Sequence, residues 1–92
     1  GGTAIRQQDG FRVRSIGSDH LLVPLGARTR EVRGLVVLNE PARFMWDLLA
    51  EECCVEDLAA ALTARFNVNA DRARADAAAF VEEISQIGLL RP

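Results

Sequence analysis

Residues 34–49 read GLVVLNEPARFMWDLL, and the fold turns on the change of pattern at Asn39. Leu35, Val36, Val37 and Leu38 form an apolar run with β-favouring residues at its centre. After Asn39 the apolar residues Ala42, Met45, Trp46 and Leu49 recur at i, i+3, i+4 and i+7, the spacing of one helix face. Phe44 and Leu48 add a second stripe, so this helix is expected to be covered on more than one side. Asn39 is a good N-cap, and Pro41 falls in the first turn, where its missing N–H leaves no intrahelical bond unmade. The stretch therefore predicts a strand joined directly to a core helix.

Upstream of the junction, Phe11 to Ile16 mostly alternates apolar with polar residues, placing Phe11, Val13 and Ser15 on one face of a strand. Gly17, Ser18 and Asp19 supply turn chemistry. A second β-like run covers 20–25, with Pro24 at an edge or terminating position because proline donates no ladder hydrogen bond. After a loop at 26–30, the third strand is expected over 31–38. Short connections favour an antiparallel meander. Downstream, a second helix over about 55–66 buries Val55, Leu58, Ala59, Leu62 and Phe66, with Glu56 and Asp57 complementing its dipole. Cys54 stands at its N-cap, a weak choice. A third helix has Asn69 as N-cap, an inner stripe of Ala73, Ala77, Phe80, Ile84 and Ile87, and Gly88 at its end, after which Leu89 and Leu90 fold back on the core. The element order is βββααα, an α+β fold.

Ninety-two residues make one domain, able to bury roughly two-thirds of the surface its unfolded chain exposes. Apolar residues make up 49% and charged residues 26%, the composition of a globular protein. No apolar run approaches the roughly 20 residues a membrane helix needs, so no membrane partner is expected. The opening Gly1-Gly2-Thr3 has neither an initiator Met nor signal-peptide character, and residues 1–10 are expected to be flexible or an added extension. Cys53 and Cys54 are adjacent, without metal-ligand spacing, which predicts reduced structural thiols, no metal, and a cytoplasmic chain. Every basic residue is arginine. Six arginines face three acids before Asn39, and five face ten after it, giving a basic first part and an acidic second part within the net charge of −2. That asymmetry can orient a charged partner but says nothing of fold.

Catalysis fails on inventory. There is one His, no Tyr, no Lys and no glycine-rich phosphate loop, so a nucleophile, its base and an orienting group are hard to assemble. His20, the single imidazole, falls in a strand pattern and reads as a structural or surface residue. The neighbouring acids Glu51-Glu52 and Glu82-Glu83 point in different directions on helices and read as solvated surface. We therefore expect no enzymatic activity and no cofactor. A DNA-binding regulator is the main alternative, because helix two, a turn and helix three resemble the helix-turn-helix of winged-helix proteins. Against it, helix three would meet a polyanion with Arg72 and Arg74 outnumbered by Asp71, Asp76, Glu82 and Glu83, so no nucleic-acid partner is expected.

In a three-stranded meander the third strand is an edge, and 32–38 carries only Arg33, with no Pro or Lys to discourage pairing. Such an edge suits β-augmentation by an extended peptide, which gains affinity from main-chain bonds and specificity from side-chain pockets. Coverage of the edge by helix three is the bland alternative. A homodimer formed by pairing the edge with a second copy is another.

Several motifs in order resemble the PqqD family: Leu22-Val23-Pro24-Leu25-Gly26, Gly34 to Glu40, Phe44, Trp46-Asp47-Leu48-Leu49, Val55-Glu56-Asp57-Leu58, Phe66, Val68, Asp76, Phe80 and Gly88-Leu89-Leu90. The resemblance runs from about Phe11 to the end of the chain. It implies a peptide chaperone, or RiPP recognition element, with a winged-helix-like βββααα fold. Such a protein binds the leader of a ribosomally made precursor peptide and presents it to a modifying enzyme, often a radical S-adenosylmethionine protein. In that family the leader adds as a strand to the third strand and lies against the third helix. Carried over, the peptide-binding residues are Val32, Arg33, Gly34 and Leu35 with Val36, Val37 and Leu38 on the strand. The facing helix contributes Arg72, Asp76, Ala79, Phe80 and Glu83. Strand alternation turns Val36 and Leu38 toward the helices and Leu35 and Val37 away. Arg33 and Arg72 are candidate partners for acidic leader residues, with plain solvation as the alternative. Pro41, where the family often has Thr or another small residue, and Cys54, in place of a hydroxyl cap, depart from the pattern. Both are expected to lie away from the groove.

Overall fold

The computed structural model describes residues 4–25 and 36–91. Three strands, β1 (Phe11–Ile16), β2 (Asp19–Pro24) and β3 (Val36–Leu38), precede three helices, α1 (Glu40–Leu48), α2 (Val55–Phe66) and α3 (Ala70–Gln86). The sheet is an antiparallel meander in the order β1-β2-β3. The β1–β2 hairpin closes through Gly17 and Ser18, with Ile16 opposite Asp19. Gly17 has φ +63°, the conformation a glycine supplies at no cost in a two-residue hairpin loop. β3 pairs with β2 from His20 opposite Leu38 to Leu22 opposite Val36. The expected beginning of the third strand, including Val32, Arg33, Gly34 and Leu35, lies outside the described residues.

The α+β order expected from the sequence is the order observed. At the junction, the Asn39 side chain accepts a hydrogen bond from the Ala42 N–H at 2.9 Å, and Pro41 sits in the first turn of α1. Met45, Trp46 and Leu49 are buried, while Phe44 and Leu48 are half-buried, as two stripes require. Phe44 meets Phe66 edge-on at 5.5 Å between ring centroids, and Phe11 meets Trp46 edge-on at 6.3 Å.

The helices cover one face of the sheet. Leu22 and Leu38 are buried on that face, whereas Val37 is 58% exposed on the other. Between the layers, Leu22, Leu49, Leu58, Ile84 and Leu89 are the largest fully buried side chains. Each contributes about 1.5–3 kcal/mol relative to an exposed position. Ala73 and Ala77, both fully buried, form the inner stripe of α3, whose main helical partner is α2. The turn between these helices uses Asn67 at φ 55°, and the Asn69 side chain caps α3 by accepting the Arg72 N–H at 2.7 Å.

The ends of α2 and α3 are closed at the expected residues, and only Ile87 departs from expectation. Cys54 is a weak cap on its own, but Asp57 reaches back and accepts the Cys54 backbone N–H at 3.0 Å, the reciprocal half of a capping box. At the end of α3, Gly88 with φ +81° lets Leu89 N–H reach the Ile84 carbonyl at 2.9 Å and Gly88 N–H reach the Ser85 carbonyl at 3.2 Å. Those two bonds are a Schellman motif, and they turn Leu89 into the core. Ile87 does not complete the inner stripe: it is 39% exposed, because the chain turns there before anything packs over it.

The amino-terminal segment, expected to be loose, makes main-chain bonds across both ends of the helical layer. Ile5 exchanges two bonds with Cys53, Gln7 N–H reaches the Leu49 carbonyl, and Gln8 N–H reaches the Leu89 carbonyl. Arg91 closes the other side through the Arg6 carbonyl and an ion pair to Asp9 at 2.6 Å. Hydrophobic periodicity carries no trace of these bonds, since they are made by backbone groups.

Candidate functional site

β3 is held on one side by β2. Among the described residues no strand pairs with its other edge. α3 runs beside that edge without packing tightly on it, since the main partners of β3 are β2 and α1. The result is a cleft made of two connected hollows that share Asn39, Ala42, Phe80 and Glu83. The first, about 250 Å³, lies between Val36, Val37 and Leu38 on the strand and Phe80, Ile84 and the capping residue Ile87 at the end of α3. The second, about 390 Å³, continues between Pro41 and Met45 of α1 and Arg72, Asp76 and Ala79 of α3. The first hollow falls below the roughly 300–1,000 Å³ of a typical small-molecule pocket. Its size suits a side chain, and its larger neighbour leaves room for more of the chain that carries one.

Sequence alternation produces the strand wall of this cleft. Leu38 is buried and Val36 half-buried toward the helices, and the intervening Val37 points away. The helix wall follows from the 3.6-residue period. The stripe that buries Ala73, Ala77, Phe80 and Ile84 leaves Arg72, Asp76, Ala79 and Glu83 exposed on the flank toward the strand. All eight described residues expected at the site line one hollow or the other. Pro41 was expected to lie apart from the groove, yet it lines the second hollow, because the first turn of α1 faces the amino-terminal half of α3. Asp19, Asn39, Ala42, Ile84 and Ile87 also line the cleft and were not anticipated. For Ile87 a signal existed: it is the last member of an apolar stripe, one turn beyond Ile84 and just before a helix stop.

The charges are uneven. Arg72 Nε lies 3.5 Å from Asp76 Oδ2, four residues on along the same helix, so its charge is engaged locally. Glu83 is exposed and makes no ion pair among the described residues.

A second polar cluster lies on the helix-facing side of the sheet, beside the start of α1. His20 is buried, and its Nε2–H donates to Glu40 Oε1 at 2.8 Å, while Nδ1 accepts from Ser15 Oγ at 2.9 Å. The order Ser15, His20, Glu40 has the logic of a catalytic triad. Its chemistry is blocked in place, because Arg43 Nη1 donates to the same Nδ1 at 3.3 Å and occupies the base a nucleophile would need. Arg43 is itself held by both carboxylate oxygens of Asp47 at 3.1 Å. The cluster ties β2 to the start of α1. Nor is either free cysteine poised as a nucleophile. Burial pushes the Cys53 thiol up, with the Asp57 and Cys54 charges adding to it. The Cys54 thiol is also raised: hydrogen bonding to the Asp57 backbone lowers it, and the Asp57 carboxylate, which accepts its S–H, outweighs that together with the smaller contributions. Among the described residues no group of three His, Cys, Asp or Glu is placed to hold a metal, and no helix is long and apolar enough to cross a membrane.

Residues 22–90 match the family model described as coenzyme PQQ synthesis protein D (PqqD). No curated protein sequence matches the chain. Among solved structures, TbiB1 in complex with the TbiA(beta) leader peptide is similar, with a TM-score of 0.71 at 20% identity over 94% of each chain. That likeness shows a shared fold.

Proposed function

The chain belongs to the PqqD family, and on that premise we propose that it binds the leader segment of a ribosomally made precursor peptide and presents it to a modifying enzyme. The observation that carries this is the unpaired edge of β3 running beside α3 with a side-chain-sized hollow between them. An extended peptide laid on that edge meets the backbone groups of Val36, Val37 and Leu38 as an added strand. Every second side chain then turns toward Phe80, Ile84 and Ile87. The strand residues Val32, Arg33, Gly34 and Leu35 would extend the same edge, and Arg72, Asp76, Ala79 and Glu83 form the opposite wall. The chain supplies recognition. The chemistry belongs to its partner, a radical S-adenosylmethionine protein or another peptide-modifying enzyme, and we place the complex in the cytoplasm, where both thiols stay reduced.

The structural likeness to a protein solved with a leader peptide supports this reading over a DNA-binding one. So does α3 itself, whose Arg72 and Arg74 are outnumbered by Asp71, Asp76, Glu82 and Glu83. The test is amide chemical-shift mapping while a synthetic leader, taken from a short reading frame encoded beside this one, is titrated in. Shifts concentrated on Val36 to Leu38 and on α3 are expected. Affinity should change little between about 50 and 200 mM salt, whereas a nucleic-acid site would lose orders of magnitude over that range. Saturable binding that leaves β3 and α3 unperturbed would overturn the proposal.

A further inference from the structure

We infer that the cleft selects a peptide in which lysine or arginine stands two residues from an apolar side chain, the apolar group seated against Ile87 and the cation beside Glu83. The inference deepens the peptide-binding reading above and rests on it.

Spacing is the first argument. Glu83, in the last turn of α3, and Ile87, the residue that caps that helix, are four residues apart, about 6 Å along the helix axis. Alternate residues of an extended strand are about 6.6 Å apart and point the same way. A peptide lying along α3 therefore brings residues i and i+2 opposite Ile87 and Glu83 in register. Val36 lines the same hollow as Ile87 from the strand side.

Charge is the second. The described residues lining the cleft carry three acids, Asp19, Asp76 and Glu83, and one cation, Arg72. Arg72 is engaged by Asp76 at 3.5 Å. Glu83 belongs to both hollows, is exposed, and makes no ion pair among the described residues. Among the described residues, the charge left to read the peptide is negative. An acidic leader residue beside Arg72, the partner expected from the sequence, would also meet the carboxylates of Asp76 and Glu83. An exposed pair of this kind changes affinity only about two- to fivefold. It therefore acts as a selector among peptides already held by backbone and apolar contacts.

The test is a displayed library of random 12-residue peptides, selected in parallel against the wild-type protein, Glu83→Gln and Glu83→Lys. Amide spectra confirm that each variant is folded and that each enriched peptide perturbs Val36, Phe80 and Ile87. We expect wild-type binders to carry Lys or Arg two residues from an aliphatic or aromatic residue. Glu83→Gln should lose that preference, and Glu83→Lys should replace it with Asp or Glu at the same place. Cleft binders with no charge preference, or with the same basic residue after Glu83→Lys, would overturn the inference and leave peptide binding standing. A library that yields no cleft binder would overturn both.

Discussion

Replacing Ile87 with alanine isolates the apolar half of the cleft. Ile87 is 39% exposed, so a peptide seated on it has that fraction of the side chain left to cover. Full burial of such a side chain contributes about 1.5–3 kcal/mol, so covering the remaining part contributes about 0.6–1.2 kcal/mol. That corresponds to about a three- to sevenfold change in Kd, with Ile87→Ala toward the lower end because alanine keeps the Cβ. A matched control exists on the same molecule. Ile16 is 63% exposed at the end of β1 and does not line the cleft. If exposed apolar surface mattered only in a general way, Ile16→Ala would weaken binding at least as much. Titration calorimetry with a leader peptide should give a weaker Kd for Ile87→Ala and an unchanged one for Ile16→Ala. Equal effects, or none at Ile87, would refute the assignment of the first hollow as the anchor site.

Two further substitutions test how the site is held. Gly88→Ala places a Cβ where no heavy atom lies within 4 Å, so its cost is the left-handed backbone alone. That cost is about 1–2 kcal/mol, read as a thermal midpoint several degrees lower, and an unchanged midpoint would remove the Schellman motif from the account of how Leu89 is buried. Asp57→Asn tests the cap of α2. The Asp57 carboxyl is held below its usual range by the Cys54 backbone N–H first and the Cys54 thiol second, against a smaller upward push from desolvation. A carboxylate depressed in the folded state stabilises above its unfolded pKa and loses that contribution as pH falls through the folded one. Urea midpoints of wild type and Asp57→Asn should therefore differ at neutral pH and converge in acid. A constant difference across that window would show that charge is not what Asp57 contributes.

Local chemistry made the junction at Asn39, the two stripes of α1 and the caps of α3 legible, because each depends on residues within a turn or two of one another. Half of the candidate site was legible for the same reason. A period of two turns Leu38 inward and Val37 outward, and a period of 3.6 puts Arg72, Asp76, Ala79 and Glu83 on one flank. What escaped depends on distances the chain closes only by folding. His20 gives no hint of Glu40, twenty residues away, and a lone strand histidine reads as surface until Ser15 and Arg43 are found around it. Ile87 continues the apolar stripe of α3 in sequence, and only the turn at Gly88 shows that nothing packs over it. Pro41 looks neutral until α1 is placed against α3.

The cleft persists because its two walls are anchored from different sides. α3 is fixed from behind: Ala73 and Ala77 lie fully buried on its inner face, Phe80 and Ile84 enter the core, and the Schellman turn locks Leu89 beneath it. β3 is fixed from its other side, by pairing with β2 and by the Asn39 cap that starts α1. The His20 cluster then pins β2 to the first residue of α1, so strand and helix leave the junction at a set angle. The two walls share one core, to which Leu38, Phe80 and Ile84 all belong, but each also has anchors of its own. A peptide can therefore lie between them, and at the cleft the fold forgoes part of the burial of Ile87. That forgone burial is what a bound peptide recovers. A substitution that closed the cleft, by enlarging Ala79 or adding apolar bulk on Glu83, would stabilise the protein and remove its site in the same step.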